Sequence, residues 1–150
     1  MQTSSSNKFR FLSAIMVAIV IGLSSCSDDE KAAPDPTVRV PFLGKYQVKD
    51  QNSDESQYFS FTLDVRESSK GADKIDLKNF RYINSGLYAT VSGNKFYIDQ
   101  VMQDSDERVE IKGEGTLSNG KLTYKYKIVL KQSGEDPEVY ENTAEATKVE

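Results

Sequence analysis

Residues 121–130 read Lys-Leu-Thr-Tyr-Lys-Tyr-Lys-Ile-Val-Leu. Leu122, Tyr124, Tyr126, Ile128 and Leu130 fall on one side of this run, and Lys121, Thr123, Lys125 and Lys127 on the other. A period of two is what a half-buried strand requires, because successive side chains point to opposite faces of a sheet. Just upstream stands Ser118-Asn119-Gly120, and Asn-Gly accepts the positive φ that a type I′ hairpin turn demands. Before that turn, residues 108–117 alternate again, with Val109, Ile111 and Leu117 opposed to Glu110, Lys112 and Glu114. The pattern predicts two antiparallel strands joined by a tight turn.

The same alternation extends in both directions. In residues 57–66, Phe59, Phe61, Leu63 and Val65 share one face, with Tyr58, Ser60, Thr62, Asp64 and Arg66 on the other. Shorter runs at 45–49, 74–80, 87–91 and 95–101 follow the rule, and Ser92-Gly93-Asn94 joins the last two. A run at 138–147 is weaker, since its inward side would be Tyr140, Asn142, Ala144 and Ala146. Residues 68–73 and 132–137 are polar loops, and no stretch has helical spacing. The expected fold is therefore all-β: about eight antiparallel strands in an up-and-down meander, closed as a small barrel, with a two-sheet sandwich as the alternative.

Composition narrows the chemistry. The chain has 150 residues, 19 Lys+Arg against 23 Asp+Glu, no His, no Trp and one Cys. Without His there is no Ser-His-Asp triad, no Cys-His pair and no imidazole base. One Cys makes neither an internal disulfide nor a thiolate zinc site. An acidic chain lacking a basic block is a poor partner for nucleic acid, which requires clustered cations.

Residues 1–10 carry Lys8 and Arg10 with no acid, and residues 11–23 (FLSAIMVAIVIGL) are almost wholly apolar. Thirteen residues fall short of the roughly 20 that span a bilayer as a helix. A basic start, a short apolar run and small residues after it describe a secretory signal peptide over residues 1–25. Leu23-Ser24-Ser25-Cys26 resembles a bacterial lipobox. That resemblance implies cleavage between Ser25 and Cys26 and acylation of the cysteine, and several acyl chains hold a protein to a membrane more firmly than one. Ser27-Asp28-Asp29-Glu30 is similar to the export signal of surface lipoproteins of Bacteroidetes, which implies an outward-facing domain on the outer membrane. The same four residues also fit an acidic linker, with the domain facing the periplasm. Loss of residues 1–25 leaves 17 Lys+Arg against 23 Asp+Glu over 125 residues. Residues 26–41 hold three of the four prolines and few bulky side chains, so they are expected to form a disordered tether ahead of a single domain at 42–150.

Gly44-Lys45-Tyr46 resembles the Gly-x-Trp opening of lipocalins, with Tyr in place of Trp. With the strand succession up to Gly113-Glu114-Gly115 and the Asn119-Gly120 turn, residues 42–147 are similar to lipocalin-like lipoproteins of Bacteroidetes. The family also carries an Arg near the last strand that packs over the first, and here no Arg follows Arg108.

Candidate ligand-lining residues are the aromatics expected inside: Tyr46, Phe59, Phe61, Phe96, Tyr124 and Tyr126. The same rings would serve equally as core, since eight strands enclose a space only wide enough for side chains or one small ligand. Residues 50–54 (DQNSD) place oxygens at alternate positions as a calcium loop does, but Glu55 stands where Gly is required and Phe61 where the closing Glu would be. Asp104, Asp106 and Glu107 form a second acidic loop. Gly113-x-Gly115 lies inside a strand, where it marks a bulge or bend rather than a phosphate loop. Tyr58, Tyr88 and Tyr97, on the outer face, have the flat surfaces that stack on sugars. No catalytic constellation, metal site or cofactor motif emerges. The sequence points to a non-enzymatic, membrane-tethered lipoprotein binding a small apolar or amphipathic molecule or a protein partner. The alternative is a carbohydrate-binding accessory protein of a glycan-uptake system.

Overall fold

The computed structural model describes residues 33–54, 56–81, 83, 86–103 and 107–149. Residues 1–25, expected to be a signal segment, Cys26, the stretch Ser27-Asp28-Asp29-Glu30, Glu55, Asp104 and Asp106 lie outside these residues. Eight strands are present among the described residues: β1 (Gly44–Asn52), β2 (Tyr58–Glu67), β3 (Lys74–Lys78), β4 (Tyr88–Ser92), β5 (Lys95–Gln103), β6 (Glu107–Ser118), β7 (Lys121–Gln132) and β8 (Glu138–Lys148). Each pairs antiparallel with the next, and β1 pairs with β8 from Tyr46↔Lys148 to Asn52↔Asn142, closing the barrel. That last ladder rules out the sandwich. It also leaves no unpaired edge to template aggregation.

The sequence features act as their chemistry requires. Asn119 and Gly120 take φ of +50° and +73°, as a type I′ turn demands, and the β6–β7 ladder runs without slip from Glu107↔Gln132 to Ser118↔Lys121. Gly113 and Gly115 are therefore not a bulge. They face Tyr126 and Tyr124 across that ladder, and a Cβ at Gly115 would stand 2.6 Å from the Cβ of Tyr124. The glycines make room for rings. The weak alternation of β8 has a matching cause: Ala144 opposes Tyr124 and Ala146 opposes Leu122, so small residues fill the inward positions where large ones come from β7.

One end of the barrel is closed. The expected tether stops earlier than its composition suggests, because Pro36–Phe42 forms a 3₁₀ turn. Asp35 caps it by accepting from the Thr37 amide at 2.8 Å, and Pro36 supplies the preset φ of a first helical residue. Phe42 drops into the barrel, 1% exposed, edge-on to Phe96 with centroids 6.3 Å apart. Arg39 straps the turn to the β2–β3 loop through Ser68 O (3.3 Å), Gly71 O (3.1 Å) and Glu67 (3.0 Å). Tyr46 donates from its hydroxyl to Phe42 O at 2.9 Å, and Lys148 Nζ lies 6.0 Å from the centroid of the Tyr46 ring. A lysine of the last strand thus lies over an aromatic ring of the first.

From Phe42 a column of rings fills the interior: Phe96 and Tyr124 at 5.8 Å, Tyr124 and Phe80 at 5.9 Å, Phe80 and Tyr126 at 4.8 Å. Among the described residues the buried core runs from Phe42 to Ala146.

Candidate functional site at the barrel mouth

The opposite end is the mouth. Here β3 is shorter than the run at 74–80 suggests: it ends at Lys78, and Asn79 and Arg81 take positive φ, +60° and +47°. These left-handed residues turn the chain back over the opening, and Phe80 between them is driven to 0% exposure on top of the aromatic column. Asn79 holds the turn by donating to Thr62 O at 2.6 Å. Non-glycine residues adopt this conformation only where the surroundings fix it.

Arg81 then reaches inward. Its guanidinium, with the side chain 8% exposed, lies 3.0 Å from Oδ2 of Asp50, which is 0% exposed. The same Nη1 donates to Asn142 Oδ1 and stands 3.5 Å from the Tyr126 hydroxyl. Tyr126 donates its proton to Asp50 Oδ2. Phe59 covers the ion pair from the rim, its ring centroid 5.5 Å from the guanidinium carbon. Around this floor stand half-buried apolar side chains from the mouth ends of the strands, Phe61, Met102, Val109, Leu130 and Tyr140.

Electrostatics follow from the burial. Removal from water pushes the Asp50 carboxyl above its ordinary value, against the pull of the Tyr126 hydrogen bond and the Arg81 charge. Burial raises both tyrosines as well, Tyr124 well above the usual phenol range. Tyr46, at the closed end, is pushed up to about 12 by burial. A shifted carboxyl in a closed space marks either proton-handling chemistry or a buried ion pair. Oδ2 here is taken by Arg81 and Tyr126, so the geometry is that of an ion pair.

The pairing is incomplete. Among the described residues, three buried polar atoms of this cluster find no hydrogen-bond partner: Asp50 Oδ1, Asn142 Nδ2 and the Tyr124 hydroxyl. Such atoms normally find a partner, in protein or in ordered water.

The structure separates the expected lining residues into two groups. Phe96, Tyr124 and Tyr126 are brought together in the ring column, and Tyr46 is buried below it. Phe59, 43% exposed, and the half-buried Phe61 stand at the mouth. Asp50 and Asn52, considered as cation ligands, instead point inward on β1: Asp50 is held by Arg81, and Asn52 accepts from the Asp54 amide at 2.9 Å. Among the described residues no three acidic or thiol side chains converge as metal ligands would. Arg81 and Asn142 were not singled out from the sequence. The signal available was the inward parity of Asp50 and Asn142 on their strands, since a carboxylate aimed into a barrel demands a countercharge.

The outer wall carries two broad concavities, about 780 and 720 Å³. Tyr58, Lys49, Gln51 and Thr123 line the first, Tyr97, Asp99, Lys112 and Lys127 the second, and Lys125 and Thr143 both. Tyr58 is 66% and Tyr97 41% exposed. Tyr88 stands elsewhere, with Lys70 and Lys74 over its ring at 5.1 and 5.3 Å.

In comparison with known proteins, the chain matches no family model and no curated protein.

Proposed function

We propose that this chain is a lipid-anchored envelope lipoprotein whose barrel is a non-enzymatic binding domain, taking a small amphipathic molecule at its mouth. The observation that carries the reading is the set of unpartnered buried polar atoms on Asp50, Asn142 and Tyr124, lying beneath an apolar rim. Binding sites of this kind combine apolar walls with a few convergent polar groups. In this reading residues 1–25 are the cleaved signal, Cys26 carries the acyl chains, and the outer membrane is the surface to which the barrel is held. Ser27, Asp28, Asp29 and Glu30 then direct it to the cell exterior.

Two experiments test the proposal. Metabolic labelling with an alkyne palmitate should mark the wild-type chain and not Cys26→Ser, which should leave the membrane fraction; label retained on the variant refutes the anchor. Native mass spectrometry of residues 33–150 purified from a cell extract should show a small bound molecule that leaves on denaturation. A bare mass refutes the mouth as a site.

One observation favours a second reading: Tyr58 and Tyr97 each border an open concavity of the outer wall. A carbohydrate chain stacking there would make the protein a glycan-binding accessory. Retention on a polysaccharide gel, lost in a Tyr58→Ala, Tyr97→Ala double variant, would support it.

A further inference from the structure

Resting on the mouth as the binding site, we propose that the floor of the barrel selects ligands by the charge of their head group, accepting a neutral donor–acceptor head, such as a hydroxyl or primary amide on an apolar chain, over a carboxylate.

The argument starts from charge. Asp50 and Arg81 face each other at 3.0 Å inside the barrel, so this pair is electrically neutral. A carboxylate entering beside them would have to pull Arg81 from Asp50 or force one of two adjacent carboxyls to take a proton, because like charges at close range in a dry site do not both ionise. An ammonium head would meet the Arg81 charge in the same confined space. Neither penalty falls on a neutral head.

The vacant valences point the same way. Asp50 Oδ1 accepts, Asn142 Nδ2 donates, and the Tyr124 hydroxyl does either. A hydroxyl supplies a donor to the first and an acceptor to the second; a primary amide does so with more directional freedom. A carboxylate can only accept, and would leave Asp50 Oδ1 unsatisfied, which is costly for a buried charged group. The walls above are apolar, and Phe59 at the rim over Arg81 is the side chain that must swing aside for the head to enter.

The test uses residues 33–150 and four probes sharing a twelve-carbon chain: 1-dodecanol, dodecanamide, dodecanoate and dodecylamine, each displacing the neutral dye N-phenyl-1-naphthylamine at pH 7.5. The wild type should bind the alcohol and the amide at least about tenfold more tightly than either charged probe. Asp50→Asn removes the carboxylate that faces Arg81 and should invert the order in favour of dodecanoate by a similar factor. Tyr124→Phe, which keeps the ring column, should lose about tenfold for the alcohol; this variant carries the test if Asp50→Asn does not fold. A wild type that prefers dodecanoate, equal affinities for all heads (an internal water only on the polar atoms), or a Tyr124→Phe variant that binds the alcohol normally overturns the inference while leaving the mouth as a site. A wild type that takes up neither dye nor any probe overturns the underlying reading instead.

Discussion

Replacing Arg81 by Leu removes the cation that faces Asp50 and leaves the rest of the cluster in place. Asp50 is fully buried and its partner is 3.0 Å away. Breaking a buried pair by deleting one member typically costs about 3–5 kcal/mol, because the other charge is left in a poor solvent. That cost depends on pH in a definite direction. Burial already holds the Asp50 carboxyl above its ordinary value of 3.8 in the folded chain, and loss of Arg81 raises it further. The folded variant then keeps a proton that the unfolded chain has released. Its stability is fullest below the unfolded value and declines by up to about 1.4 kcal/mol per pH unit until the folded value is passed. The gap from wild type should thus be about 1–2 kcal/mol near pH 4, where contacts of Arg81 such as those to Phe59 and Asn142 are lost but no charge is stranded. It should widen to about 3–5 kcal/mol at pH 7. Urea unfolding at pH 4 to 8, followed by tyrosine emission since the chain has no Trp, measures both. An Asp50→Leu, Arg81→Leu double variant should recover most of the loss at pH 7, having no charge left to strand. A gap that stays constant with pH, or that remains below about 1 kcal/mol at pH 7, would refute the buried ion pair.

Gly115→Ala should destabilise the barrel by about 1–3 kcal/mol, since its Cβ would press on the Phe96 ring and the Tyr124 Cβ; an unchanged melting temperature would mean that the strands part more easily than the ladder indicates. Phe80→Ala deletes the ring that links Tyr124 and Tyr126, and a loss of about 3–5 kcal/mol is expected in urea, together with stronger uptake of an apolar dye into the space left. Loss of stability without dye uptake would show that the column collapses on itself.

The strands were legible because alternation is a local property, and it is plain in β2, β6 and β7. Closure was expected as a small barrel and is present, but alternation alone does not separate it from a sandwich, since the two differ in whether Tyr46 finds Lys148. The Pro36–Phe42 turn was hidden by its prolines, which signal a linker by composition, while Asp35-Pro36 carries a capping signal whose meaning depends on Phe42 having a core to enter. Asp50 and Asn142 could be placed inward by counting residues along β1 and β8. Arg81 could not be assigned to them: it lies 31 positions from Asp50, in a loop whose positive φ no propensity foretells for arginine.

Pairing of the first strand with the last also sets where the chain leaves the barrel. Val149 donates to Lys45 O at 2.9 Å, so the C-terminal residues emerge beside the start of β1, at the end sealed by Phe42. Both exits share that face and the mouth opens on the other. A cargo protein or fluorophore fused behind β8 would therefore sit next to the start of β1, on the side away from the Asp50–Arg81 pair. A label meant to report on that pair belongs instead in the loop between β7 and β8, residues 133–137.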